Sequence, residues 1–302
     1  MTNHHSVIER RQGANDAVLS AAKRPLTIKD MVDVGRLQLG GSETARLDAE
    51  VLLSKVLDVD RAQLYRIFED LVPPDKRRRY GELIGKRRRG VPVAYLTGHR
   101  EFWSLDIYVD ENTFIPRPET EHLVEATLDL MSNLTIDEVA DLGTGSGAVA
   151  LAIANEYPQC WVIATDICEK ALAVAARNAT HLGLTNITLR QGHWCGALNG
   201  AQLDLIVSNP PYVASCDPCL REGEVSHEPT IALLGGEQGL DAIRTIVTQA
   251  SAHIRSGGWL LIEHASDQKK DVWELMRAHG LGSLKTFRDY GGHDRVTIGR
   301  RI

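Results

Sequence analysis

The chain has 302 residues, 43% of them apolar and 25% charged, with a net charge of −6 at pH 7. It is long and apolar enough for a sizeable core, which excludes a wholly disordered chain. The acidic balance argues against a protein that coats nucleic acid by general attraction.

Residues 1–24 are polar and carry little periodicity, so a flexible extension is expected there. The opening Met1-Thr2-Asn3-His4-His5-Ser6 lacks the charged start and apolar middle of a signal peptide, and no run reaches the length of a membrane span. Five cysteines, an odd number without a paired framework, suit a reducing compartment, and a cytoplasmic location is expected. Cys216-Asp217-Pro218-Cys219 has redox or zinc-like spacing, but no second such pair occurs and no metal is expected.

Apolar residues then recur at helical spacing, as in Ala45, Ala49, Leu52, Leu53 and Val56. Breaks at Pro73-Pro74 and Gly90-Val91-Pro92 divide them, which predicts a small helical bundle over residues 25–98. Two basic runs, Lys76-Arg77-Arg78-Arg79 and Lys86-Arg87-Arg88-Arg89, stand ten positions apart. They form either a solvated helix face or a contact patch for an acidic partner protein. Residues 99–116 predict a β-hairpin linker: alternation from Phe102 to Val109 marks one strand, Asp110-Glu111-Asn112 the turn, and Thr113-Phe114-Ile115 the second strand.

A catalytic domain is expected over residues 117–302. Glu138-Val139-Ala140-Asp141-Leu142 reads as a strand, Gly143-Thr144-Gly145-Ser146-Gly147 as a glycine turn, and Ala148 to Glu156 as an apolar helix. Such glycines let a ligand approach the backbone. The next apolar strand, from Trp161, ends in Asp166, a carboxylate suited to both hydroxyls of a ribose. Together these predict a nucleoside pocket. Gly143, Gly145 and Ala148 also satisfy the looser dinucleotide fingerprint, so a nicotinamide enzyme is a rival. Asp141 argues against it, because a carboxylate there opposes a pyrophosphate yet suits the ammonium of a methionine moiety. S-adenosylmethionine therefore fits better than NAD.

Further along, the buried-looking run Leu203 to Ser208 leads into Asn209-Pro210-Pro211-Tyr212. The prolines stiffen the turn and lack N–H groups, leaving the Asn209 carboxamide and the Pro210 carbonyl as two acceptors for one planar NH2, with the Tyr212 ring to stack on the flat group behind it. After the tetrad, a strand opening at Gly257-Gly258 and ending at Glu263, a helix near 267–279, and strands near 283–287 and 295–299, together with a third strand ending before Trp194, complete a seven-stranded order. The sheet is expected to be mostly parallel with a late antiparallel hairpin.

The set Phe114-Ile115-Pro116-Arg117-Pro118-Glu119-Thr120-Glu121, Asp141 to Gly147, Asp166, Ser208 to Tyr212 and Arg288-Asp289-Tyr290-Gly291-Gly292-His293-Asp294-Arg295-Val296 resembles the HemK/PrmC family, the peptide chain release factor N(5)-glutamine methyltransferases. The resemblance includes Arg46 to Leu53 and runs from about Leu26 to the carboxyl terminus. It implies an α/β fold, a Rossmann-like S-adenosylmethionine-dependent methyltransferase domain preceded by a bundle that docks the substrate. It further implies that Gly143, Thr144, Gly145, Ser146, Gly147, Asp166, Trp194 and Asn209 line the S-adenosylmethionine site, and that Asn209, Pro210, Pro211 and Tyr212 hold the glutamine of the Gly-Gly-Gln motif of class I release factors, with Asn209, Pro210 and Tyr212 serving catalysis.

One position departs from the family pattern. Many relatives carry an acidic residue before the Trp, where this chain has His193, so an acceptor for the adenine amino group is weakened. Two other classes fit parts of the sequence: a nucleic-acid amino-group methyltransferase, which uses the same tetrad on an exocyclic amine, and a nicotinamide oxidoreductase or non-catalytic cofactor binder. The mixed charge of the amino-terminal segment disfavours the first, and neither a stable nucleic-acid partner nor a membrane is expected.

Overall fold

The computed structural model describes residues 25–302, which fall into two compact units divided between Thr97 and Gly98. The expected extension over residues 1–24 lies outside the described residues.

In the first unit, α1 (Ile28–Gln38) starts at a capping box in which Thr27 and Asp30 exchange backbone and side-chain hydrogen bonds. α2 (Ala45–Leu57) follows, then α3 (Arg61–Arg66), capped in the same way by Asp60 and Gln63. α4 (Pro74–Arg88) has Pro at its first position, where no N–H is needed, and α5 (Val93–Thr97) is a single turn. Met31, Leu52, Leu53, Leu64, Tyr80 and Ile84 form the centre of this bundle. Burial of each large side chain contributes about 1.5–3 kcal/mol.

The basic runs on α4 are divided in use. Arg87 donates to the buried Asp48 at 2.7 Å and Lys76 donates to the Val56 carbonyl at 2.8 Å, whereas Arg78, Arg79 and Arg88 are exposed. Lys76 and Arg87 thus help to hold the bundle together.

The second unit opens with a hairpin, β1 (His99–Phe102) and β2 (Leu105–Tyr108), paired Phe102 to Leu105. This corrects the expected turn. The chain reverses at Trp103-Ser104, both at positive φ (52° and 59°), and among the described residues Thr113-Phe114-Ile115 is not a strand. Neither turn residue is one of the usual Asn, Asp or Gly, so the alternation running through them carried no sign of the reversal. Asn178 ties the hairpin down, accepting from the Tyr108 N–H at 2.8 Å and donating to its carbonyl at 3.0 Å. Tyr108 also lies under the Arg177 guanidinium.

Next come a 3-10 turn (Pro118–Thr120), α6 (Glu121–Asn133), β3 (Glu138–Leu142), α7 (Ala148–Glu156), β4 (Trp161–Asp166), α8 (Glu169–His181), β5 (Ile187–Gln191) and β6 (Leu203–Ser208). After a long connection follow α9 (Asp241–Ala250), β7 (Ile254–Glu263), α10 (Lys269–Ala278), β8 (Leu281–Arg288) and β9 (Asp294–Arg301). The seven-stranded sheet has the order β5-β4-β3-β6-β7-β9-β8. β3 to β7 run parallel, and β9 is antiparallel to β7 and β8, as expected.

Parallel strands covered on both faces need continuous apolar runs, and Leu205, Ile206 and Val207 are fully buried accordingly. The chain winds from β3 outward through β4 to β5, then returns to the other side of β3 for β6. This reversal leaves a crevice at the carboxyl ends of β3 and β6, where open α/β sheets bind ligands. No helix among the described residues is long and apolar enough to cross a membrane.

Candidate active site

A cavity of about 380 Å3 sits in that crevice, within the size range of small-molecule sites. Asp141, Gly143, Thr144, Gly145, Ser146, Asp166, Trp194, Asn209, Pro210, Pro211 and Tyr212 all line it. Gly147 is the exception among the residues picked from the sequence. It does not line the cavity, but starts α7 at φ 88°.

The glycine loop is held from below. The amides of Gly143 and Thr144 both donate to the Thr165 carbonyl, at 2.9 and 2.8 Å, and the amide of Gly147 donates to Thr144. The Gly145 amide donates to Asp166 Oδ2 at 2.9 Å. With these donors spent inside the protein, the loop offers little to a pyrophosphate, which weakens the dinucleotide alternative. A Cβ at Gly143 would stand 3.1 Å from the Trp194 ring, so the missing side chain lets the indole close over the loop. At Gly145 a Cβ would meet nothing within 4 Å, leaving the backbone bare toward the cavity.

Asp166 ends β4 with both oxygens engaged, Oδ2 by Gly145 and Oδ1 by the Cys168 amide at 2.8 Å. Each carboxylate oxygen keeps a further lone pair for a ligand hydroxyl. Asp141 is 2% exposed and accepts from the Thr144 hydroxyl at 2.6 Å. Burial pushes its carboxyl up to about 7, with the Thr144 hydrogen bond pulling the other way. A buried acid of this kind is suited to a cationic ligand group. His193 is exposed at the cavity wall, its ring 5.5 Å from that of Trp194.

At the tetrad, Ser208 Oγ donates to the Leu142 carbonyl at 2.7 Å and locks the end of β6 onto β3. Asn209 Nδ2 donates to Thr120 Oγ1 at 3.0 Å, which leaves Oδ1 as the free end of the carboxamide. No described residue donates to the Pro210 carbonyl. Tyr212 presents its ring to the cavity, while its hydroxyl turns inward to Glu263 Oε1 at 3.2 Å. The Tyr212 carbonyl is held by Gln268 Nε2 at 3.1 Å. The arrangement places two carbonyl-type acceptors beside a nucleoside-sized cavity.

Four residues had no role assigned from the sequence. Thr120 was visible only as part of the Pro116 to Glu121 stretch, and its bond to Asn209 spans 89 positions. Arg117 pairs with Glu228, whose other oxygen accepts from the Ile115 amide, stapling the segment before α6 to the connection after β6. Glu263 carried a usable sign: like Asp166, it is a carboxylate ending an apolar strand.

This sheet order, with a glycine loop after β3, a carboxylate at the end of β4 and an Asn-Pro-Pro-Tyr turn after β6, defines an S-adenosylmethionine-dependent methyltransferase. Comparison with known proteins agrees. Residues 33–98 match the PrmC N-terminal domain and residues 120–220 the methyltransferase small domain. A release factor glutamine methyltransferase of Xylella fastidiosa is 49% identical over 255 residues, covering 84% of this chain and 93% of the relative. That of Escherichia coli is 43% identical over 263 residues, covering 87% and 95%. Among solved structures, a T. thermophilus 16S rRNA methyltransferase in complex with AdoMet and guanosine shares the fold, with a TM-score of 0.52 at 18% identity over 68% of this chain and 50% of that one. The chain belongs to the release factor glutamine methyltransferase family, whose methyl donor is S-adenosylmethionine.

Proposed function

We propose that this protein methylates the side-chain amide nitrogen of the glutamine in the Gly-Gly-Gln motif of class I release factors, in the cytoplasm. The observation that carries the reading is the bond from Asn209 Nδ2 to Thr120. It turns Oδ1 out beside the unbonded Pro210 carbonyl, so that two acceptors meet one NH2 group.

S-adenosylmethionine supplies a methyl group already activated by its sulfonium. What remains for the protein is alignment and exclusion of water, and alignment alone supplies about 7–11 kcal/mol. The difficult partner is the amide nitrogen, whose lone pair is shared with its own carbonyl. Asn209 Oδ1 and the Pro210 carbonyl polarise its N–H bonds and favour the out-of-plane nitrogen of the transition state, and the Tyr212 ring backs the planar amide. The surplus proton leaves to water.

For the donor, Asp166 accepts from the ribose hydroxyls, Trp194 and His193 flank the adenine, and Asp141 faces the ammonium of the methionine end, directly or through water. The helical unit up to Thr97 supplies remote contacts to a folded release factor. A slim glycine-flanked loop suits a recessed acceptor pair.

Incubating the protein with S-adenosylmethionine and a release factor, followed by mass spectrometry, tests this. A gain of one methylene mass should map to the Gly-Gly-Gln glutamine and vanish when that residue is changed to alanine. Methylated nucleic acid with unmodified release factor would instead favour an amino-group methyltransferase of nucleic acid.

The Asp141 carboxyl gives a second expectation. Its pKa in the free protein is raised to about 7, so below that pH it is mostly protonated and must ionise to pair with an ammonium. Calorimetric affinity for S-adenosylmethionine should therefore rise about tenfold per pH unit up to about pH 7 and level off above it. Asp141→Asn should flatten the profile. A flat wild-type profile would place the ammonium elsewhere.

A further inference from the structure

Thr120 does not by itself decide which end of the Asn209 carboxamide it meets. A threonine hydroxyl is both donor and acceptor, so it can take the NH2 of Asn209 or give its proton to the oxygen. The second arrangement would turn the NH2 toward the methyl acceptor and remove one of the two acceptors. Whatever accepts the hydrogen bond of the Thr120 hydroxyl therefore sets the orientation of the catalytic amide.

The group placed to do so is Glu263. It ends β7 next to the end of β6, one position beyond the paired residues Ser208 and Ile262. It is 1% exposed, and its Oε1 accepts from the Tyr212 hydroxyl while Oε2 has no hydrogen-bond partner. The Thr120 hydroxyl is among the neighbours that favour the charged form of this carboxyl. A buried acid with one oxygen unsatisfied costs stability, and an apolar residue would fill the place at less expense.

We propose that Glu263 is a positioning residue: as a carboxylate it accepts a hydrogen bond from the Thr120 hydroxyl, which commits a Thr120 lone pair to Asn209 Nδ2 and holds Asn209 Oδ1 toward the methyl acceptor. The same carboxylate holds the Tyr212 hydroxyl, so one buried acid orients both ends of the tetrad. The inference rests on Asn209 gripping the acceptor amide as proposed above.

The charged and titratable groups that face Glu263 are Tyr212 from the tetrad, Arg295 from β9 and Glu119 from the 3-10 turn. Arg295 is itself committed to Asp289 at 2.9 Å. Burial outweighs these neighbours and raises the Glu263 carboxyl to about 7. Its orienting form is lost as pH falls through that value.

The test is steady-state methylation of purified release factor by the full-length protein at saturating S-adenosylmethionine, over a range of pH centred on 7. Wild-type kcat should rise with pH through about 7 and level off. Glu263→Gln should lower kcat about 10- to 100-fold, the cost seen when a metal ligand loses its outer hydrogen-bond partner. It should also remove the pH-dependent limb, while calorimetric affinity for S-adenosylmethionine stays within about threefold, which reports a folded protein. Thr120→Val should lose a similar factor, Thr120→Ser should recover most of it, and combining Thr120→Val with Glu263→Gln should cost no more than either alone. Wild-type kinetics in Glu263→Gln, a limb that survives the substitution, or additive losses in the double variant would each overturn the positioning role. Absence of any release factor methylation by the wild-type protein would overturn the function as well, and so is distinguishable from failure of the inference alone.

Discussion

Asn209→Ala should lower kcat for release factor methylation by at least about 10³-fold, with the dissociation constant for S-adenosylmethionine changing less than about tenfold. In the proposed grip the carboxamide oxygen faces the reacting nitrogen, and its interaction strengthens as that nitrogen leaves the amide plane, so the loss falls on the transition state. The cavity survives, because Asp166 and the glycine loop are held by bonds that do not involve Asn209, and Trp194 packs against the core. Asn209→Asp is an instructive companion. It retains two acceptor oxygens but cannot donate to Thr120 Oγ1, and it places a charge beside the amide. Single-turnover rates with calorimetry separate these effects, and substantial turnover by Asn209→Ala would count against the assigned grip.

Asp166→Ala should weaken S-adenosylmethionine binding by about 3–5 kcal/mol, more than the loss of one hydrogen bond. Each bond between a charged acceptor and a ribose hydroxyl contributes about 1.5–3 kcal/mol. Besides these, the carboxylate accepts the Gly145 and Cys168 amides, so its removal frees the glycine loop from the end of β4 as well. Asp166→Asn keeps one good acceptor and should fall between the two. Calorimetry on the free enzyme reads this directly, and an unchanged affinity for Asp166→Ala would put the ribose elsewhere.

The parts of the site legible in the sequence are those built within one strand and its following turn. Asp166, the glycine loop and the Asn209 to Tyr212 tetrad were each visible because a run of buried apolar residues announces a parallel strand, and the residue at its carboxyl end then falls in the crevice. Glu263 satisfied the same rule and went without a role, since a single glutamate ending a strand does not say which hydroxyls meet it. The hairpin turn was misplaced for a local reason: Trp103 and Ser104 adopt left-handed conformations that neither residue type advertises. The basic runs show the opposite limit. Lys76 and Arg87 looked like the rest of a charged surface, but helix packing brings the Val56 carbonyl and Asp48 to them.

By itself, the sequence determined the alternation of strands and helices, the sheet's near-complete strand set, and which residue types stand at the carboxyl ends of β3, β4 and β6. These follow from periodicity and from the stiffness of prolines and the freedom of glycines, all of which act over a few neighbouring residues. Only the tertiary structure decided that Thr120 bonds Asn209 across 89 positions, that Arg117 reaches Glu228 across 111, and that Glu263 lies behind Tyr212. Such contacts depend on which strands become neighbours and on how far each side chain is removed from water. Neither quantity is a property of any short stretch of chain. The orientation of the Asn209 amide, on which the proposed chemistry turns, arises from contacts of that long-range kind.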